Sequence, residues 1–155
     1  MLDQIKQYYI DTPSDFVDNI YKFKTLTKAQ QRSNRLGWQS PQLTNTLSIP
    51  WADEFLNLCI ATADLKSPFK HIWFNISPSK AYHGWHSHGG ARQVGVYYIK
   101  TPSDCGNIEF RHDTQTKILE PVQRLLLIFP SQLEHRVLEN RSNEDRITLA
   151  FNLGA

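Results

Sequence analysis

The run Arg146-Ile147-Thr148-Leu149-Ala150-Phe151-Asn152-Leu153 constrains the fold of this chain more than any other feature. Its strict alternation predicts a β-strand, in which successive side chains point to opposite faces. Ile147, Leu149, Phe151 and Leu153 then share one face, which needs an apolar cover. Arg146, Thr148, Ala150 and Asn152 share the other. That second face cannot be ordinary packed core, because an unpaired buried guanidinium is costly. It predicts a pocket inside a β fold, with an anionic occupant.

The rest of the chain supplies both the cover and the fold. Thr12-Pro13-Ser14-Asp15 reads as a helix start, followed by Phe16, Ile20, Tyr21 and Phe23 on one face. A second helix opens at Ile49-Pro50-Trp51-Ala52, carries Phe55, Leu56, Cys59 and Ile60, and ends before Pro68. Residues 1–66 are therefore expected to be mainly helical or irregular. Six strands are expected after them: His71–Ser77, Gln93–Lys100, Gly106–Arg111, Gln123–Phe129, His135–Glu139 and Arg146–Leu153, separated by turn residues. Helices followed by short antiparallel strands indicate an α+β protein with a sandwich or barrel-like core, and 155 residues suit one domain over 1–155.

Composition excludes several classes. The formal net charge is +2 with no basic run, so nucleic-acid binding lacks electrostatic support. No apolar stretch approaches membrane-spanning length, and no apolar signal core opens the chain. The two cysteines, Cys59 and Cys105, lack metal-like spacing and read as free thiols of a reducing, cytoplasmic compartment. No stripe marks an interface between copies, so oligomeric state stays open.

The chemistry lies in the histidines. His86-Ser87-His88 sits within Tyr82-His83-Gly84-Trp85-His86-Ser87-His88-Gly89-Gly90. Imidazoles at i and i+2 of an extended segment point the same way. His135, after the apolar run Leu125 to Pro130, can close a three-point face on a metal with other positions open, a geometry suited to iron and oxygen. His83 is the alternative to His88, although regular alternation would turn it to the opposite side. Glu109 and Asp113 are candidate carboxylates that read better as structural. His71 reads as a surface or partly buried residue, and His112 as a loop residue. Arg146 could instead pair with Glu134 or Asp145. Trp73, Trp85, Tyr97 and Tyr98 read as core or pocket-wall aromatics, with Trp85 a weak candidate for the substrate side.

These pieces resemble the iron(II)- and 2-oxoglutarate-dependent oxygenases, in particular a small bacterial and phage branch related to the prolyl-hydroxylase-like group. The resemblance runs from about Trp73 to Leu153. It rests on Trp73-Phe74-Asn75, His86-Ser87-His88, Gly95-Val96-Tyr97-Tyr98-Ile99, Gly106-Asn107-Ile108-Glu109-Phe110, Leu127-Ile128-Phe129-Pro130 with His135, and Arg146-Ile147-Thr148. It implies a double-stranded β-helix (a cupin-like jelly-roll) with N-terminal helices packed on one sheet. It implies iron(II) on His86, His88 and His135, and 2-oxoglutarate on Arg146, with Thr148, Asn75 and Tyr98 as further cosubstrate contacts. Molecular oxygen completes the set, and the implied activity is hydroxylation of a small-molecule or peptide substrate. One departure stands out: His88 occupies the position where most members carry Asp or Glu. Three histidines also resemble cupin-type dioxygenases or isomerases that use no 2-oxoglutarate. A non-catalytic metal-binding jelly-roll is the third alternative. Loops 30–48 and 78–92 are expected to face the substrate.

Overall fold

The computed structural model describes residues 1–154. In chain order its elements are β1 (Lys6–Tyr9), α1 (Phe16–Leu26), β2 (Asn34–Arg35), β3 (Trp38–Gln39), α2 (Asp53–Ala63), β4 (Phe69–Ser77), β5 (Tyr82–His86), β6 (Gln93–Lys100), β7 (Ile108–His112), β8 (Gln115–Leu119), β9 (Leu125–Pro130), β10 (Glu134–Val137) and β11 (Arg146–Leu153). They form two antiparallel sheets. A six-stranded sheet has the order β1-β9-β6-β11-β4-β3, and a five-stranded sheet the order β2-β5-β10-β7-β8. This is the double-stranded β-helix, a jelly-roll, with both helices on the outer face of the larger sheet.

The alternation of β11 decides which side does what. Ile147, Leu149, Phe151 and Leu153 are buried in one apolar cluster with Phe16, Ile20 and Phe23 of α1 and Phe55, Leu56 and Cys59 of α2. Each fully buried side chain of this size contributes roughly 1.5–3 kcal/mol over its exposed state. Phe151 lies so close over Gly95 that a Cβ at that position would overlap its ring. Here glycine serves close approach, not a turn. A second cluster, containing Leu125, Leu127 and Phe129 of β9 with Ile108 and Phe110 of β7, closes the space between the sheets at one end.

Helix placement follows the sequence signals. Pro50 sits in a short 3-10 turn that leads into α2, and Asp64 ends the helix in the left-handed region with φ 51°. The hydroxyl of Thr12 does not cap α1; it hydrogen-bonds the Tyr97 hydroxyl at 2.6 Å. Tyr97 in turn donates to the Ile10 carbonyl at 2.6 Å, which ties the N-terminal segment to the main sheet.

Residues 1–66, expected to be mainly helical or irregular, also hold short strands. Lys6–Tyr9 forms an edge strand on β9, and Trp38–Gln39 pairs with Ile76 and Asn75 of β4. These strands are too short, or too uneven in polarity, to show a period of two. Gln115–Leu119 is a further strand, joined to β7 by a turn in which Asp113 has φ 55°. His112 ends β7 and is not a loop residue.

Candidate metal centre and anion pocket

Between the sheets lies a cavity of about 490 Å³. The polar face of β11 forms its floor, with Asn75 and Trp73 of β4 and Tyr98 of β6 beside it. His83 and His86 of β5 and His135 of β10 face it from the other sheet. Loop residues Arg32 and Ser33, and His88 with Gly89, close the mouth. The expected substrate-facing loops thus both reach the cavity.

Three imidazoles converge here. The nearest ring nitrogens of His86, His88 and His135 all lie within 4.8 Å of one another, and the Nε2 atoms of His88 and His135 are 3.3 Å apart. Two ligand nitrogens about 2.1 Å from one ion at a right angle would be about 3.0 Å apart, close to that spacing. Each strand histidine is held by the same local device. His86 Nδ1 lies 2.7 Å from the Gly84 carbonyl, and His135 Nδ1 2.9 Å from the Leu133 carbonyl. A carbonyl can only accept, so both Nδ1 atoms carry the proton and both Nε2 atoms present bare lone pairs. His88 sits just beyond β5, where its backbone N–H donates to the Ser131 carbonyl at 2.9 Å. Its ring stacks on Trp73, 5.8 Å between centroids.

Burial keeps these rings neutral. It lowers the pKa of His86, lowers that of His88 to about 4 and lowers that of His135 well below the ordinary value, with the neighbouring imidazoles adding to the effect on His88 and His135. Neutral imidazole is the form that binds a metal.

Beside this cluster is an anion pocket. Arg146 is 2% exposed. Its Nη1 donates to the Cys105 carbonyl, while Nη2 is buried without a partner. The following residue, Gly106, has φ 102°, and a Cβ there would crowd both Leu138 and the Arg146 guanidinium. Glu134, considered as its partner, instead pairs with Arg111 on the outer face. Asn75 Nδ2 donates to Thr148 Oγ1 at 3.3 Å, leaving Asn75 Oδ1 unpartnered. Burial raises the Tyr98 pKa, so its phenol stays a donor. Among the described residues, no Asp or Glu lines the cavity. The unpaired guanidinium, the neutral donors and the absence of acid suit a carboxylate.

His83 departs from the sequence expectation. His135 pairs with His86, but Val137 pairs with His83, so β5 holds one extra residue at this point. This bulge at Gly84 and Trp85 turns His83 inward with His86, where regular alternation would send it out. Glycine inside a strand pattern is the signal that marks it. His83 nevertheless lies outside the converging trio; its Nδ1 is 3.1 Å from Ser33 Oγ. Burial, then the charge of Arg146, lowers its pKa to about 3. Trp85 does not face the substrate side: it points outward, with the Arg111 and Arg136 guanidiniums 4.0 and 4.8 Å from its ring. Glu109 is structural, paired with Arg136 at 2.7 Å. His71 lines the cavity, which the sequence did not anticipate, and Arg32, Ser33 and Gln42 line it from the loop expected to face the substrate. Cys59 and Cys105 are both free and buried.

Residues 111–152, which include His135, Arg146 and Thr148, match the family described as "Putative 2OG-Fe(II) oxygenase". An oxidoreductase of the 2OG-Fe(II) oxygenase family from Burkholderia pseudomallei shares the fold, with a TM-score of 0.73 and 11% identity over 98% of this chain and 86% of that one. So does a Pseudomonas putida prolyl-4-hydroxylase, at 0.68 and 15% identity over 98% and 93%. A Trichoplax adhaerens prolyl hydroxylase, solved with a hypoxia inducible factor peptide, scores 0.71 at 12% identity over 97% and 83%. No curated protein matches the chain by sequence. The C-terminal strands thus match the iron(II)- and 2-oxoglutarate-dependent oxygenase superfamily in sequence, and the whole chain reproduces its fold. No helix among the described residues is long and apolar enough to cross a membrane.

Proposed function

We propose that the protein is an iron(II)- and 2-oxoglutarate-dependent dioxygenase that hydroxylates an amino-acid or peptidyl substrate. The observation that carries this reading is the convergence of three neutral imidazoles beside a buried guanidinium with one unpaired Nη. His86, His88 and His135 would hold the iron, and Arg146, Thr148, Asn75 and Tyr98 the cosubstrate. When bound, iron and 2-oxoglutarate with oxygen supply the oxidation of a C–H bond, the cosubstrate leaving as succinate and carbon dioxide.

The chain's own part is to orient and shield. The Gly84 and Leu133 carbonyls fix two of the imidazoles in the metal-binding tautomer. Arg146 offers a planar fork to the far carboxylate, and burial strengthens that pairing by excluding water. Thr148 and Tyr98 add uncharged donors on the same side. His88 in place of a carboxylate leaves the full double charge of the ion uncompensated by its ligands. In an acid-free cavity, that charge favours an anionic cosubstrate. Hydroxylation is favoured by the two prolyl hydroxylases that share the fold, although an epimerase and a carbocyclase share it too.

His135→Ala tests the assignment. The parent protein should take up one iron or cobalt ion per chain and release succinate when given iron(II), 2-oxoglutarate and oxygen. The variant should do neither. Full metal occupancy in the variant would reject the ligand set. Metal uptake by the parent without succinate release would favour a three-histidine cupin-type enzyme that uses no 2-oxoglutarate.

A further inference from the structure

The cavity has a second polar end, opposite Arg146, that metal and cosubstrate leave unused. Along its floor the paired residues of β11 and β4 follow in order: Arg146–Ser77, Thr148–Asn75, Ala150–Trp73 and Asn152–His71. Trp73 marks the level of the histidine cluster, because His88 stacks on it. Same-face positions on a strand advance about 6.6 Å. Asn152 and His71 therefore lie one step beyond the cluster, and Arg146 two steps before Trp73.

Asn152 is 6% exposed and lines the cavity, and its Oδ1 is buried with no hydrogen-bond partner. A buried amide oxygen left unpaired is destabilising, so packing alone gives no reason for it. The aliphatic Val94 and Ala150 beside it show that an apolar side chain fits this floor. His71 and Gln42 line the same cavity, and neither side chain makes a hydrogen bond among the described residues. Gln42 is brought there by the bridge between Leu43 and Ile72.

The missing partner must donate to Oδ1. A substrate ammonium would find no carboxylate among the described lining residues, with Arg146 and a divalent ion for company. We infer that Asn152, with His71 and Gln42, is a specificity-determining subsite that accepts a hydrogen bond from an uncharged N–H or O–H of the substrate. The inference rests on the proposed metal and cosubstrate site, which sets the other side of the cavity.

The test uses the full chain loaded with zinc(II) and N-oxalylglycine, and three probes on one ring: cyclopentanecarboxamide, cyclopentylmethanol and methyl cyclopentanecarboxylate. Affinity is read by NMR titration from backbone amides of the cavity strands in every sample, and the Asn152 side-chain amide is followed as well in the parent. The carboxamide, the alcohol or both should bind about fivefold tighter than the ester, which has no donor, and should move the Asn152 resonance. Which of the two donors wins identifies the source, amide or hydroxyl. Asn152→Leu should bring all three probes within about twofold of one another. Asn152→Asp keeps the shape and the acceptor, and should also admit cyclopentylmethylammonium, which the parent rejects. Equal binding of ester and donors, a preference that survives Asn152→Leu, or binding of none of the three would each overturn the inference. N-oxalylglycine is first titrated into the zinc-loaded protein before any probe is added, so its failure to bind would indict the cosubstrate site and its success would isolate the fault to Asn152.

Discussion

The two faces of β11 are built from one strand and obey opposite rules. On the outer face, Ile147, Leu149, Phe151 and Leu153 are packed into the helices with no polar atom to satisfy. On the inner face, Arg146 Nη2 and Asn152 Oδ1, with Asn75 Oδ1 on the neighbouring strand, are buried and unpaired. The first face holds the fold together in any state. The second leaves polar atoms without partners within the protein. Stability and function are thus divided by the period of two, residue by residue, and a substitution should act on one or the other according to its parity.

The largest expected effect lies on the packed face. Phe151→Ala should destabilise the protein by about 3–5 kcal/mol, because the cavity over Gly95 cannot close, and urea unfolding measures it. Arg146→Leu, on the other face, should weaken 2-oxoglutarate binding to the metal-loaded protein roughly 100-fold. The same change should leave the unfolding free energy of the ligand-free protein within about 1 kcal/mol, or raise it, since an unpaired buried charge is removed. Calorimetry and urea unfolding on one sample give both numbers. A comparable loss of stability in both variants would erase the distinction between the faces.

A smaller effect is set by pH. The folded pKa of His83, about 3, lies below the ordinary 6.5, so the unfolded chain takes up a proton that the folded chain refuses. This cost is absent above pH 6.5 and grows as pH falls from there towards 3. At pH 5 it amounts to about 2 kcal/mol. His83→Gln should flatten the loss of stability between pH 7 and 5 by that amount; an unchanged slope would show that the burial of His83 carries no such cost. The smallest effect belongs outside the cavity altogether. Arg136→Ala removes a guanidinium from Trp85 and a pair with Glu109. Arg136 is 40% exposed, and solvent screening should hold the cost to about 0.5–1 kcal/mol in thermal unfolding, with metal and cosubstrate binding unchanged.

Much of this division was legible in the residues because β11 alternates cleanly, and the strand ends where the pattern ends. Alternation also told which face of β11 the helices cover. The histidines and Arg146 could be grouped because their types and order are those of a recognisable site. What escaped depended on contacts between distant segments. The edge strand Lys6–Tyr9 exists because β9 offers it a partner, not because its own pattern demands it. The inward turn of His83 needs a bulge that Gly84 signals in general terms, and the pairing of His83 with Val137 fixes where it falls. Asn152 was placed on the polar face, yet its unpaired oxygen is a fact of packing that no spacing encodes.

The most direct measurement is anaerobic addition of 2-oxoglutarate to the iron(II)-loaded protein, followed by visible absorption. If the three imidazoles hold the metal and Arg146 holds the far carboxylate beside it, a charge-transfer band appears in the parent protein and is lost, at the same cosubstrate concentration, in Arg146→Leu. An iron-loaded parent that gives no band, or an Arg146→Leu variant whose band matches the parent's, would contradict the account.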